Sequence, residues 1–114
     1  MPTPVPTPVR VTRPTALVLF AVARGLRHGF DILDATGLQS GTAYPILRRL
    51  EDAGLLRSWW EPVARARADG RPPRRYYEVT GSGAKALREA LERHPDVAAA
   101  FAPRGGGLPQ PGSA

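Results

Sequence analysis

The chain has 114 residues, with 16 Lys or Arg against 10 Asp or Glu and a formal charge of +6 at pH 7. That length allows one small domain with tails rather than two domains, and the charge favours an anionic partner such as nucleic acid or a membrane surface. Cysteine is absent, which excludes disulfides, thiolate metal sites and thiol nucleophiles.

Residues 1–14 repeat proline among Thr and Val, so amide donors are missing at short intervals and an extended tail is predicted. Thr15 is placed to cap a helix through the apolar run 16–23, which is apolar on nearly all sides, as in a helix buried between others. Val18 and Val22 are β-branched, so a strand is the competing reading. The run is far shorter than the ~20 residues that span a bilayer, and no cleavage-site pattern flanks it; a cytoplasmic protein with no membrane association is expected. Residues 27–36 predict a second, shorter helix, with Leu26, Phe30 and Leu33 inward and Asp31 and Asp34 outward. Gly37 ends it.

A third helix is predicted almost at once, over residues 40–53, with Ser40 as its cap and Gly54 beyond its end. Ala43, Ile46, Leu47, Leu50 and Ala53 recur at helical spacing and form one apolar stripe, leaving Gln39, Ser40, Thr42, Tyr44, Arg48 and Arg49 largely off it. Two helices joined by a three- or four-residue turn containing glycine make a helix-turn-helix. Residues 55–61 and 74–80 then alternate as half-buried strands around a loop, 62–73. That loop carries Arg65, Arg67 and Arg71, with Arg74 and Arg75 at its far edge and Asp69 as its acidic residue. The pattern predicts a basic hairpin. Thr80 can cap a closing helix with Ala84, Leu87 and Leu91 as a narrow apolar stripe. Residues 95–114, rich in Ala, Gly and Pro, predict a second disordered tail, with one weak turn at most over 96–101.

The expected fold is therefore mainly α (α+β): a winged helix-turn-helix of three helices, a two-stranded β wing and a closing helix over residues 15–94. At this point the residues resemble those of PadR-type transcriptional regulators. The pattern reads His28-Gly29-Phe30-Asp31-Ile32, then Ser40-Gly41-Thr42-Ala43-Tyr44-Pro45-Ile46-Leu47-Arg48-Arg49-Leu50-Glu51, Gly54-Leu55, Trp60-Glu61, Gly70-Arg71-Pro72 and Arg75-Tyr76-Tyr77-Glu78-Val79-Thr80-Gly81. The Gly-Thr-x-Tyr-Pro-x-Leu-x-x-Leu piece is the most specific, because proline is disfavoured inside a helix. Pro45 removes the amide that would bond the carbonyl of Gly41, a loss tolerable at an exposed helix start and costly in a dry core.

The resemblance implies a sequence-specific double-stranded DNA-binding regulator, a repressor in this reading, and not an enzyme. Gln39, Ser40, Thr42, Tyr44 and Pro45 are assigned to the end of the helix that enters the major groove. Arg48 follows them, either reading a guanine or holding a phosphate. Arg49 lies nearer the apolar stripe, where pairing with Glu51 or Asp52 is an alternative. Arg65, Arg67, Arg71, Arg74 and Arg75 are assigned to the sugar-phosphate backbone; four of them neutralising phosphates would give a log-log salt slope of roughly −3.6. Trp59, Trp60, Tyr76 and Tyr77 are expected chiefly to close the core, with Tyr77 and Val79 inward and one tryptophan of the pair outward. His28 beside Asp31 reads as a surface or supporting group rather than an acid-base centre, and no metal site or cofactor is expected.

The resemblance also implies a homodimer, here through helix 84–94 and helix 15–24, with the apolar faces of the first and last helices joined. The shortness of the closing helix argues against a pocket between protomers, and no effector is assigned. Two alternatives share the fold: a protein-interaction module, and a basic protein that binds DNA without sequence preference.

Overall fold

The structure is a computed structural model and describes residues 11–101; of the tails expected over 1–14 and 95–114, residues 1–10 and 102–114 lie outside those residues, while Arg13 and Pro14 already belong to the first helix. The elements in order are α1 (Arg13–Ala23), α2 (Gly29–Thr36), α3 (Ser40–Asp52), β1 (Leu56–Trp60), α4 (Val63–Ala68), β2 (Arg75–Val79), α5 (Gly81–Arg93) and α6 (Pro95–Ala100). This is the winged helix-turn-helix order, with two additional short helices.

The apolar run near the N-terminus is helical, and it is the centre of the core. Its cap is Thr12, whose side chain accepts from the Thr15 amide at 3.4 Å. Thr15, expected as the cap, is instead buried in the first turn. Ala16, Val18, Leu19 and Ala21 are fully enclosed, and α1 packs against α2, α3, α5, α6 and β2. A helix apolar on almost every side can be stable only when surrounded in this way.

In α2 the buried residue is Ile32, flanked by the partly buried Leu26 and Leu38. Phe30, expected to face inward, points to solvent. Gly37, at φ 72, ends the helix in the left-handed region, a conformation open to glycine at little cost. The Thr36 hydroxyl braces the turn, donating to the Ile32 carbonyl at 2.7 Å and accepting from the Leu38 amide at 3.2 Å.

The stripe of α3 is as the spacing predicts: Ala43, Ile46, Leu47 and Leu50 are buried, and Ala53 is partly covered just beyond the helix. Gln39, rather than Ser40, stands at the cap position, and no side chain caps the helix.

β1 and β2 form an antiparallel pair with Leu56 opposite Val79 and Trp60 opposite Arg75. Leu56, Tyr77 and the partly buried Val79 share the face toward the core. The Tyr77 amide donates to the Arg27 carbonyl at 2.8 Å, and His28 makes an isolated bridge to Tyr76. Burial raises the pKa of the Tyr77 hydroxyl. Of the strand aromatics only Tyr77 is a core residue; both tryptophans retain solvent exposure.

The segment after Pro95 departs from the expected tail. Through residue 101 it folds back as α6, with Val97 fully buried beside Ala16, Leu17 and Ala90. The Phe101 ring meets Phe20 edge-on at 5.0 Å. Arg13 pairs with Asp96 and holds its carboxyl below the usual range. The apolar faces of the first and last helices thus meet within one protomer, where the sequence reading had them join two.

Candidate nucleic-acid interface

Of the side chains assigned to DNA, Tyr44, Arg71, Arg74 and Arg75 share one cleft between the start of α3 and the base of the hairpin. Pro45 and Arg48 line an adjoining hollow, and Arg65 lies elsewhere, beside Arg27, Trp59 and Tyr76. Gln39, Ser40, Thr42, Tyr44, Pro45, Arg48 and Arg49 are all exposed, with the buried stripe of α3 turned away from them. Pro45 lies inside the helix, but both it and Gly41, whose carbonyl loses its usual partner, are exposed residues, where a missing helix bond costs less than in a dry core. Neither Arg48 nor Arg49 is in an ion pair among the described residues. The pairing of Arg49 with Glu51 or Asp52 is therefore not formed.

Glu51 has other partners. It accepts from Ser58 at 2.7 Å and from Arg75 at 3.4 Å, tying the last turn of α3 to both strands. Arg75 also lies over the Trp60 ring, 5.1 Å from its centroid. This wing arginine is held against the protein on two sides.

The loop 62–73 contains a helix that its sequence pattern does not predict. Its first half is α4, anchored by the buried Ala66, and its second half is fixed through Glu61. That carboxylate is only 2 % exposed, and unpaired burial of a charge would be prohibitive. Four donors compensate: Arg71 through two nitrogens at 2.6 and 2.8 Å, the Arg74 amide at 3.2 Å and the Tyr76 hydroxyl at 3.2 Å. The Arg71 hydrogen bonds, seconded by the Arg74 amide, the Arg71 charge and the Tyr76 hydroxyl, outweigh burial and hold the Glu61 pKa down to about 2. The Arg71 pKa is raised in return, chiefly by its bond to Glu61.

Arg71 also bonds Asp69 at 3.1 Å, so its charge is committed inside the wing. Arg65 is exposed and 3.9 Å from Glu61. Arg67 and Arg74 are in no ion pair among the described residues. Of the five arginines, Arg65 and Arg67 are thus exposed and Arg74 half-buried but unpaired among the described residues, while Arg71 is a strut and Arg75 a brace.

His28 pairs with Asp31 at 3.0 Å, and its ring meets Tyr76 edge-on. It supports the junction of α2 and β2. Among the described residues no group of His, Asp and Glu is arranged to hold a metal, and no helix is long and apolar enough to cross a membrane. The residues whose pairing shapes the wing and that the sequence reading left out of it are Glu61 and Glu51. Glu61 had one available signal, a carboxylate at the strand end that opens a strongly basic loop.

A helix-turn-helix braced by three further helices and followed by an antiparallel wing defines the winged-helix class of DNA-binding domain. The model of the transcriptional regulator PadR-like family matches residues 18–89. The chain belongs to that family, which consists of transcriptional regulators and not enzymes.

Solved structures agree on the fold. A PadR family transcription regulator from Clostridium difficile R20291 is 21% identical, with 79% of this chain and 98% of that one covered at a TM-score of 0.61. A PadR-like transcription factor from Bacteroides fragilis is 24% identical, with coverages of 75% and 82% and a TM-score of 0.59. A PadR family transcriptional regulator from Eggerthella lenta DSM 2243 is 28% identical, with coverages of 76% and 79% and a TM-score of 0.55. A search of curated proteins found no match.

Proposed function

We propose that this regulator is a repressor that recognises a specific double-stranded operator, with the start of α3 in the major groove and the wing along the backbone. One observation carries the reading: the exposed polar face of α3, from Gln39 through Arg48, adjoins a wing that carries the exposed Arg65 and Arg67 and the half-buried Arg74, which is in no ion pair among the described residues. Base edges in the major groove offer donors and acceptors to Gln, Ser, Thr and Arg, whereas arginines on the wing suit phosphates. First-turn amides of α3 that no side chain caps can add to anion binding there. Repression follows from occupancy, the bound domain standing where polymerase must load.

The proposal includes two copies on an inverted repeat, because one module of this size reaches a single half-site. The inner faces of α1 and α5 already cover each other, so the contact between copies falls to the outward sides of α5 and α6. A cytoplasmic site of action fits this role.

The test is selection from a random duplex pool at stated salt, followed by sedimentation of the protein with and without the recovered duplex. An inverted repeat bound by two copies supports the proposal. Recovery of no consensus would leave a nonspecific basic protein and overturn it.

A further inference from the structure

Three aromatic side chains stand in the open around one cleft. Phe30 is 77 %, Trp60 62 % and Tyr44 43 % exposed. All three line a cavity of about 470 Å³ between the start of α2, the start of α3 and the base of the wing. Arg71, Arg74, Arg75 and Tyr77 are among the other residues of its wall, and no carboxylate lines it. It shares Tyr44, Arg75 and Tyr77 with a second hollow that extends along α3 to Arg48.

The arrangement is built rather than incidental. Tyr44 lies so close over α2 that a Cβ on Gly29 would stand 2.5 Å from its hydroxyl oxygen. Trp60 is held by Arg75, itself tied to Glu51. Large aromatics left exposed together on one face mark a surface that is covered in use.

Resting on the DNA reading above, we infer that this cleft seats one strand of the duplex, with Phe30, Tyr44 and Trp60 packed on deoxyribose faces and the Arg74 guanidinium on a phosphate. The cleft adjoins the α3 face that carries Arg48, with Glu51 and Asp52 farther along that hollow. The arginines at the two places, Arg74 and Arg48, are in no ion pair among the described residues, which matches a polyanion running between them. A small ligand needs enclosure of most of its surface, whereas these rings sit on the lips of the cleft. Arg74 is the cleft arginine without an ion pair among the described residues, since Arg71 is bound to Glu61 and Asp69, and Arg75 to Glu51. Contacts to sugars by apolar rings release no counterions, so they add affinity that salt does not screen.

The experiment uses the full chain and a duplex recovered from the random pool, with Kd measured from 50 to 300 mM KCl, concentrations on the order of those over which phosphate contacts are titrated. Phe30→Ala and Trp60→Ala are each expected to raise Kd about tenfold at every salt concentration, with the slope unchanged. Arg74→Ala is expected to flatten the slope by about 0.9. Thermal melts of each variant establish folding, and Phe30→Leu, which keeps an apolar side chain, should retain most of the affinity.

Unchanged Kd in both aromatic variants overturns the inference while leaving the DNA reading standing; failure of the wild-type chain to bind any recovered duplex removes the DNA reading itself. Binding of anilinonaphthalene sulfonate that Trp60→Ala abolishes, with duplex affinity intact, would make the cleft a small-molecule site and overturn the inference. Loss of a dimer mass in Phe30→Ala without DNA would give the patch to a second copy, with the same consequence.

Discussion

Arg71 grips Glu61 with two guanidinium nitrogens, at 2.6 and 2.8 Å, across ten residues of chain that include the whole of α4. The pair closes the wing on itself and gives it a fixed shape. Because the Glu61 pKa is lowered from 4.5 to about 2 in the folded protein, the folded state binds this carboxylate's proton less readily than the unfolded chain does. The contribution of Glu61 is therefore complete above its ordinary value and is lost as pH falls from 4.5 toward 2. Thermal melts should show the wild-type Tm dropping more steeply over that interval than the Tm of Glu61→Gln. Parallel curves would mean that the pair does not set acid stability.

Arg71 and Arg74 differ in sequence position by three and in role entirely. Removing Arg71 leaves a buried carboxylate without its main partner, so Arg71→Ala should lower Tm more than Arg65→Ala, Arg67→Ala or Arg74→Ala. The salt dependence of duplex binding separates them further. With Arg65, Arg67 and Arg74 the wing arginines not committed as strut or brace, its contribution to the log-log slope is roughly −2.7 rather than the −3.6 expected from four. Additivity of slope losses among the Arg65, Arg67 and Arg74 variants checks this count.

Gly83 sits in the first turn of α5, where a Cβ would lie 2.0 Å from the Leu55 carbonyl oxygen and 2.9 Å from the Val79 Cγ1. The Leu55 carbonyl also accepts from the Thr80 amide at 3.1 Å, so it is not free to retreat. Replacing glycine by alanine gains roughly 1 kcal/mol of helix propensity, but the clash costs about 1–3 kcal/mol or more. Gly83→Ala should be destabilised in urea unfolding, whereas Gly41→Ala, with open space around it, should not.

Pro45 gives the opposite sign. Alanine there restores an amide donor to the Gly41 carbonyl in an exposed stretch of α3, and interior proline costs a helix on the order of 3 kcal/mol. Pro45→Ala should therefore stabilise the domain by about 1–3 kcal/mol. A Tm at or below wild type would show that the neighbouring groups already compensate for the missing bond.

Val97 is enclosed by Ala16, Leu17 and Ala90. Ending the chain after Arg93 exposes that patch and frees Arg13 from Asp96, so the truncated protein should melt at lower temperature, as should Val97→Asp, which buries a charge. Equal Tm for both and for wild type would count against α6 as part of the folded domain.

Helical spacing made α3 and the turn before it legible, because Ala43, Ile46, Leu47 and Leu50 repeat at intervals that only a helix turns to one side. The hairpin was legible from alternation. What escaped has physical reasons. Residues 63–68 read Val-Ala-Arg-Ala-Arg-Ala, in which a single buried alanine, Ala66, anchors α4 and no periodic large side chain announces it. In α6 one valine carries the contact among small residues. Phe30 shows the reverse: it stands two residues before the buried Ile32, about 200° around the helix, so seating Ile32 in the core turns Phe30 outward. The wing arginines looked alike because charge pairing is a three-dimensional fact, decided by Glu61 and Glu51 rather than by local pattern.

The bridge between residues 27–28 and β2 has a further effect, on self-association. A two-stranded ribbon ordinarily presents two open edges on which another chain can add a strand. Here the Arg27 carbonyl takes the Tyr77 amide and His28 pairs with Tyr76, so the β2 side is occupied by the protein's own backbone. The β1 side has no strand beside it among the described residues, and it carries the exposed Arg57 near its middle, a charge of the kind that discourages edge-to-edge pairing. Sheet-driven aggregation is thus channelled to a single five-residue edge, and replacing Arg57 by an apolar residue is the substitution that would open it.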